Sequence, residues 1–319
     1  MKIAVFRALQ LGDILCSIPA IRVAKKNFPH AQIYVLGLKH MKSLLLRYPF
    51  VDAFVHFPGY PGLPEQVVTV NEVELFVQHM CEMQFDLLIQ MHGNGTVVND
   101  LLYRCEASRL VGYCPDQLGS NADWMVYPDG IHEVARHLAL TKYLGLSVSP
   151  EDYEMDFPLY AEDRENFRAL KESYGLHRYA VVHVGSRSAL RQWPLSHFLV
   201  LAEHLMQQGL QLVLTGTEEE RSRVNEMQRM IGRKVISLVS KTGLGELGCL
   251  LQEAEILVCN CTGISHMAAA LKTKSIVISL DGEPERWGPM NHNLHYTYNG
   301  TQELNLSQIR QDMDRLLRI

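Results

Sequence analysis

The sequence holds no block of like charge: 30 Lys plus Arg stand against 35 Asp plus Glu, scattered over 319 residues, for a net charge of −5. A chain without a basic stripe has no electrostatic grip on a nucleic-acid backbone, so no nucleic acid is expected as a partner. No apolar run approaches the length of a bilayer span, and Met1 to Phe6 reads as a short strand instead of the charged start of a signal peptide. Low-complexity stretches are missing as well. Gly (22) and Pro (13) are dispersed, and 47% hydrophobic with 20% charged residues describes a globular chain able to bury a large core. The seven cysteines are odd in number and lie mostly inside apolar segments, which argues against a disulfide framework and for thiols in a reducing cytosol. A Walker A lysine loop, a G-x-S-x-G elbow and a C-x-x-C pair are all absent. His132-Glu133 with His137 looks like a zincin helix, but histidines five apart point about 140° away from each other, so no metal site is expected.

What is present is an alternation of short β-rich runs with longer amphipathic stretches, the pattern of parallel sheets with helical crossovers. Strands are expected at Ile3 to Arg7, Ile33 to Leu36, Ala53 to Phe57, Asp86 to Met91 and Leu110 to Tyr113, with helices at Ile14 to Asn27, Asn71 to Met83, Val97 to Cys105 and Ile131 to Leu144. A polar stretch around Pro150, Ser147 to Asp156, reads as a linker. The alternation then restarts: a helix from Ala161, strands at Tyr179 to Val184, Leu210 to Thr215, Val235 to Val239, Ile256 to Asn260 and Ser275 to Leu280, and helices between them. Ser307 to Arg318 closes the chain as an amphipathic helix. The expected architecture is α/β, two doubly wound Rossmann-like domains at 1–150 and 151–319 with a cleft between them. Ligands in such sheets bind beyond the carboxyl ends of the strands, so site residues belong in the loops there.

Three loops carry candidates. Gly12 and Asp13 fall between the first strand and the first helix, where a carboxylate serves either as a helix cap or as a general base. Asn260 to His266 follows an apolar strand and opens a small-residue helix. Thr262 and Gly263 there would present free backbone N–H groups to a diphosphate, while His266 reads equally as a core histidine. Arg187 and Arg191 lie in the loop after Val184, either as solvated cations or as phosphate ligands. A fourth signal is weak: Gly243-x-Gly245-x-x-Gly248 matches a dinucleotide fingerprint but lies outside a first β-α turn and lacks the acidic residue about 20 positions on.

With these residues in view the chain resembles the heptosyltransferases, glycosyltransferase family 9. The match runs through Leu11-Gly12-Asp13, Met91-His92-Gly93-Asn94, Arg191-Gln192-Trp193-Pro194, Lys241-Thr242, Thr262 to Leu271 and Trp287-Gly288-Pro289. The resemblance implies a GT-B fold and an inverting, metal-independent transfer of a sugar, heptose in the family, from an ADP-sugar to a lipopolysaccharide-core or related glycan acceptor, with no cofactor. It implies an N-terminal acceptor domain and a C-terminal nucleotide-sugar domain. Asp13 matches the catalytic base, and Arg191 stands where the family usually has a Lys that contacts the donor. Arg187, Glu220, Lys241, Thr242, Cys261, Thr262, Gly263 and His266 fall on the donor side; Gly12, His92 and Asn94 fall on the acceptor side. Cys261 replaces an acid common in the family, which leaves a different donor sugar, or a non-catalytic ADP-sugar or glycan-binding protein, as the alternative. An NAD-dependent oxidoreductase would rest on the glycine motif alone. The implied location is the cytoplasm, extending to peripheral contact with the inner membrane.

Overall fold

In the computed structural model, residues 1–232 and 235–318 are described. The chain divides into two units, Met1–Met155 and Asp156–Ile319, and among the described residues each holds one six-stranded sheet whose strand pairs are all parallel.

Unit 1 runs β1 (Lys2–Phe6), α1 (Leu11–Asn27), β2 (Gln32–Gly37), α2 (Lys42–Leu45), β3 (Ala53–His56), α3 (Val70–Met83), β4 (Leu87–Gln90), α4 (Asn99–Tyr103), β5 (Leu110–Cys114), β6 (Trp124–Val126) and α5 (Glu133–Tyr143). The strand order is β3-β2-β1-β4-β5-β6. β1 is central: Ile3, Ala4, Val5 and Phe6 are fully buried, because covered faces on both sides of a parallel sheet favour a continuous apolar run over alternation. Ile3 pairs with Ile33 on one side and Leu87 on the other. α1 begins three residues earlier than the apolar periodicity predicts, at Leu11, and continues through Pro19, so Gly12 and Asp13 lie in its first turn. The expected linker is instead tied to this helix. Lys26 Nζ lies 3.0 Å from Asp152, Arg22 donates to the Glu154 carbonyl at 2.6 Å, and Asn27 exchanges hydrogen bonds with Ser147. The division of the chain accordingly falls after Met155.

Unit 2 runs α6 (Ala161–Tyr174), β7 (Tyr179–His183), α7 (Leu195–Gln207), β8 (Gln211–Leu214), α8 (Arg221–Ile231), β9 (Ile236–Ser237), α9 (Leu244–Gln252), β10 (Ile256–Asn260), α10 (Gly263–Leu271), β11 (Ser275–Ser279), α11 (Pro284–Trp287), β12 (His295–Asn299) and α12 (Leu306–Arg318). Its order, β12-β11-β10-β7-β8-β9, repeats the pattern of unit 1. The closing helix buries Ile309, Met313 and Leu316 in the core formed with Phe198, Leu201 and Val258. The glycine motif is a packing device: a Cβ on Gly245 would stand 1.7 Å from the Asp163 carboxylate, and one on Gly248 would stand 2.7 Å from Leu159. Two of its three glycines therefore let α9 approach α6 and the segment before it.

Candidate active site

In both sheets the strand order reverses between two neighbouring central strands, β1 and β4 in unit 1 and β7 and β10 in unit 2. The loops leaving these strands turn to opposite faces, which opens a crevice at their carboxyl ends. Most of the predicted residues lie in or beside these four loops.

In unit 1 the loop after β1 begins with Arg7, which is only 1% exposed. Its Nη1 donates to the Met91 carbonyl at 2.6 Å, and its Nη2 donates to Glu133 Oε1 at 2.9 Å and to Asp13 Oδ1 at 3.4 Å. The Asp13 side chain keeps 25% exposure. Burial raises its pKa; Arg7 pulls the other way, and Glu133 raises it further. Asp13 is thus a partly accessible carboxylate whose basicity has been preserved beside a cation. His92, following β4, accepts the Ala8 backbone N–H on Nδ1 at 3.3 Å. Burial and the nearby Arg7 push its pKa down to about 3, so the imidazole is neutral. Asn94 is exposed, and its Oδ1 accepts from the Thr96 N–H at 3.1 Å.

Behind Arg7 stands a buried charge network that sequence reasoning missed. Glu133 opens α5 and is paired by Arg136 as well as Arg7, with His137 Nε2 at 3.5 Å. Burial would raise the Glu133 pKa, but the His137 contact and the charges of Arg7 and Arg136 hold it well below the usual carboxylate range. His137 is lowered to about 4 by burial and by Arg7. The available signal was Glu133-x-x-Arg136-His137, a spacing that places all three on one helix face.

In unit 2 the loop after β7 carries Arg187 and Arg191, both exposed. Fully buried Asn260, the last residue of β10, organises this loop: its Oδ1 accepts the Trp193 N–H at 3.0 Å, and its Nδ2 donates to the Val184 and Gly185 carbonyls, each at 3.0 Å. Arg223 adds bonds to the Val184 carbonyl at 2.8 Å and the Trp193 carbonyl. Thr262 caps α10 in an extended conformation without capping through its side chain, so the first-turn N–H groups of Gly263 and Ile264 face the loop end. His266, one turn on, is 5% exposed and packs edge-on to Trp287. Cys261 is buried, with Sγ 3.7 Å from the Trp287 carbonyl; burial and Asp281 push its thiol up to about 12, so it is neutral. Asp281 also lies 3.9 Å from Arg191.

Glu220 stands at the start of α8, packed so closely on Gly185 that a Cβ there would come within 2.1 Å of its carboxylate. Burial opposes its ionisation, but His183, 3.7 Å away, and the Thr217 N–H, donating at 2.8 Å, bring it down to about 2. Lys241 and Thr242 follow β9 and precede α9, beside the loop after β8, where the Ser240 N–H donates to the Gly216 carbonyl at 3.0 Å. The structure therefore gathers Arg191, Cys261, Thr262, Gly263 and His266 around the β7 and β10 ends, with Glu220, Lys241 and Thr242 on the β8–β9 side. Among the described residues no three His, Cys, Asp or Glu side chains cluster as metal ligands.

The family model described as glycosyltransferase family 9 (heptosyltransferase) matches residues 73–315. Lipopolysaccharide heptosyltransferase 3 of Escherichia coli strain K12 is 27% identical over 318 residues, covering 95% of this chain and 89% of that protein. Among solved structures, a glycosyl transferase family 9 protein from Veillonella parvula superposes with a TM-score of 0.83 at 17% identity, covering 99% of this chain and 97% of that one. The E. coli ADP-heptose lps heptosyltransferase II superposes at 0.78 with 19% identity, covering 100% and 99%. These likenesses give the fold as GT-B.

Proposed function

The chain belongs to glycosyltransferase family 9, the heptosyltransferases, and from that premise we propose that it transfers a heptose from ADP-heptose to a lipopolysaccharide-core acceptor, with inversion and without a metal ion. The observation that carries this reading is Asp13: a carboxylate at the carboxyl end of the central strand, a quarter exposed, whose pKa is raised despite Arg7 at 3.4 Å. A general base must be reachable and must retain affinity for a proton, and Asp13 meets both conditions. Unit 1 is then the acceptor domain, with Gly12, His92 and Asn94 beside the base.

Unit 2 is the donor domain. Arg187, Arg191 and the start of α10 at Thr262 and Gly263 take the diphosphate, Glu220 the ribose, Lys241 and Thr242 the adenine side, and Cys261 and His266 face the sugar end. The acceptor hydroxyl oxygen attacks the anomeric carbon as the bond to the diphosphate oxygen breaks. Asp13 receives the hydroxyl proton, while Arg191 and the helix start stabilise the charge growing on ADP. Preorganised cations and N–H dipoles supply the neutralisation that a bound metal supplies in other transferases. The reaction belongs at the cytoplasmic face of the inner membrane, where peripheral contact would bring the lipid-linked acceptor within reach. Among the described residues no helix is long and apolar enough to cross a membrane.

The test is a titration with ADP, UDP, GDP and NAD, with and without EDTA, followed by turnover of ADP-heptose on a heptose-acceptor lipopolysaccharide core. ADP should bind most tightly and survive EDTA. Asp13→Asn should lower kcat on the order of 10²-fold and leave the ADP Kd unchanged. A strict divalent-ion requirement, preference for another nucleotide, or undiminished turnover of Asp13→Asn would overturn the reading; ADP binding with no turnover on any acceptor would make the protein a binder.

A further inference from the structure

One nitrogen of Arg7, Nη2, faces two carboxylates, at 2.9 Å to Glu133 and 3.4 Å to Asp13. The shorter contact is the one to the residue that has no access to solvent: Glu133 is 1% exposed, against 25% for the Asp13 side chain. Glu133 itself is held from behind. Arg136 pairs with its other oxygen, and Arg136 is in turn fixed by the Pro128 carbonyl at 2.8 Å and the Tyr127 ring at 4.4 Å. Tyr113 bonds the Arg136 carbonyl at 2.8 Å and lies 3.4 Å from His137 Nδ1. The Met91 carbonyl grips Nη1 at 2.6 Å and Nε makes a long contact of 3.4 Å with the Asp13 backbone carbonyl, so the two short contacts of the guanidinium are those to Met91 and Glu133 and not those to Asp13.

We propose that Glu133 is a positioning residue for the transfer reaction: by holding Arg7 in a short buried pair it confines the contact between Arg7 and Asp13 to a long one. The inference rests on the reading of Asp13 as base. Without Glu133 the guanidinium would close on Asp13, since a buried cation seeks the nearest carboxylate. The charges agree with this. The groups facing the site are Arg7 after β1, Asp13 and Cys16 on α1, His92 after β4, Tyr113 on β5, Tyr127, and Glu133, Arg136 and His137 on α5. With both histidines neutral, two cations balance two carboxylates. Removing Glu133 leaves an excess positive charge that favours the ionised form of Asp13 and so weakens it as a base.

The experiment follows the Asp13 carboxyl directly by carbon-detected NMR titration of protein labelled at aspartate, its signal identified by loss in Asp13→Asn, alongside the pH profile of kcat. In Glu133→Gln the titration midpoint should fall by about one pH unit or more, the acid limb of kcat should move with it, and kcat should drop about tenfold. If that variant does not fold, Arg7→Met, which leaves Glu133 its Arg136 partner, carries the test, and its midpoint should rise. An unmoved midpoint in a folded variant overturns the inference. A midpoint that moves while the acid limb stays fixed would leave the coupling intact but refute Asp13 as the base.

Discussion

Replacing Asn260 by Ala tests whether the cationic loop of unit 2 is held by one buried amide. The side chain makes three hydrogen bonds, each at 3.0 Å, from a fully buried position. The Val184 carbonyl keeps a donor after truncation, because Arg223 Nε bonds it at 2.8 Å. The loss therefore falls on the Trp193 N–H and the Gly185 carbonyl. An unsatisfied buried group costs ~1–3 kcal/mol, so the pair predicts ~2–6 kcal/mol, or a Tm lower by about 4–24 °C for a unit of this size. Because the same amide anchors both ends of the segment bearing Arg187 and Arg191, ADP should also bind about tenfold more weakly, equivalent to ~1.4 kcal/mol. Calorimetry and an ADP titration on one preparation measure both effects. Asn260→Asp is the control: it keeps the acceptor for Trp193 but turns an oxygen toward two carbonyls and buries a charge, so it should be no more stable than the alanine variant. An unchanged Tm for Asn260→Ala would refute the hydrogen-bond argument; a lowered Tm with unchanged ADP affinity would show that the loop does not hold nucleotide.

Cys261→Asp should tighten ADP-heptose relative to ADP by about tenfold if the position faces the sugar, since a carboxylate accepts charge-assisted bonds from hydroxyls that the neutral thiol makes poorly; equal affinities in variant and wild type would remove Cys261 from the donor site. Protein stability should fall as pH drops from about 6.5 toward 5. Burial lowers His92 to about 3, and His137 and His295 to about 4, all below the ordinary histidine value, so the unfolded chain binds more protons than the native one over this range. The stabilisation is complete above about 6.5 and is lost progressively on acidification, as Tm against pH will show. His92→Gln should flatten the slope, and a flat wild-type profile would refute the neutral assignment.

The parts of the fold legible in the sequence were those whose pattern is local. β1 reads as a strand because Ile3 to Phe6 are apolar without a break, and α12 reads as a helix because Ile309, Met313 and Leu316 recur on one face. The edge strands β6 and β12 are not legible in the sequence: Trp124 to Val126 is an apolar run of only three residues, and in β12 the alternation rests on Tyr296 and Tyr298 alone, set among the polar His295, Thr297 and Asn299. α1 begins three residues ahead of its apolar periodicity, because Gln10 caps it without a side-chain bond and Gly12 adds no apolar signal to its first turn. At the site, strand ends located the loops, but Arg7 and Glu133 lie 126 positions apart. Each alone resembles an ordinary surface charge; only the sheet order brings them together.

A physical reason connects the residues that were missed. At a strand-order reversal the two central loops leave toward opposite faces, so backbone groups at their roots lose the neighbours that a continuous sheet would supply, and buried ones must be satisfied by other means. Unit 1 meets this demand with side chains: His92 receives the Ala8 N–H, Arg7 donates to the Met91 carbonyl, and Gln90 bridges the His92 carbonyl and the Tyr113 N–H at 2.7 and 3.1 Å. Unit 2 meets it with Asn260 alone on β10, aided by Arg223 from α8. A polar residue ending an otherwise apolar central strand, as Gln90 and Asn260 do, is thus the local mark of a loop that must be held in place, and in this protein both lead to the loops that carry the proposed chemistry.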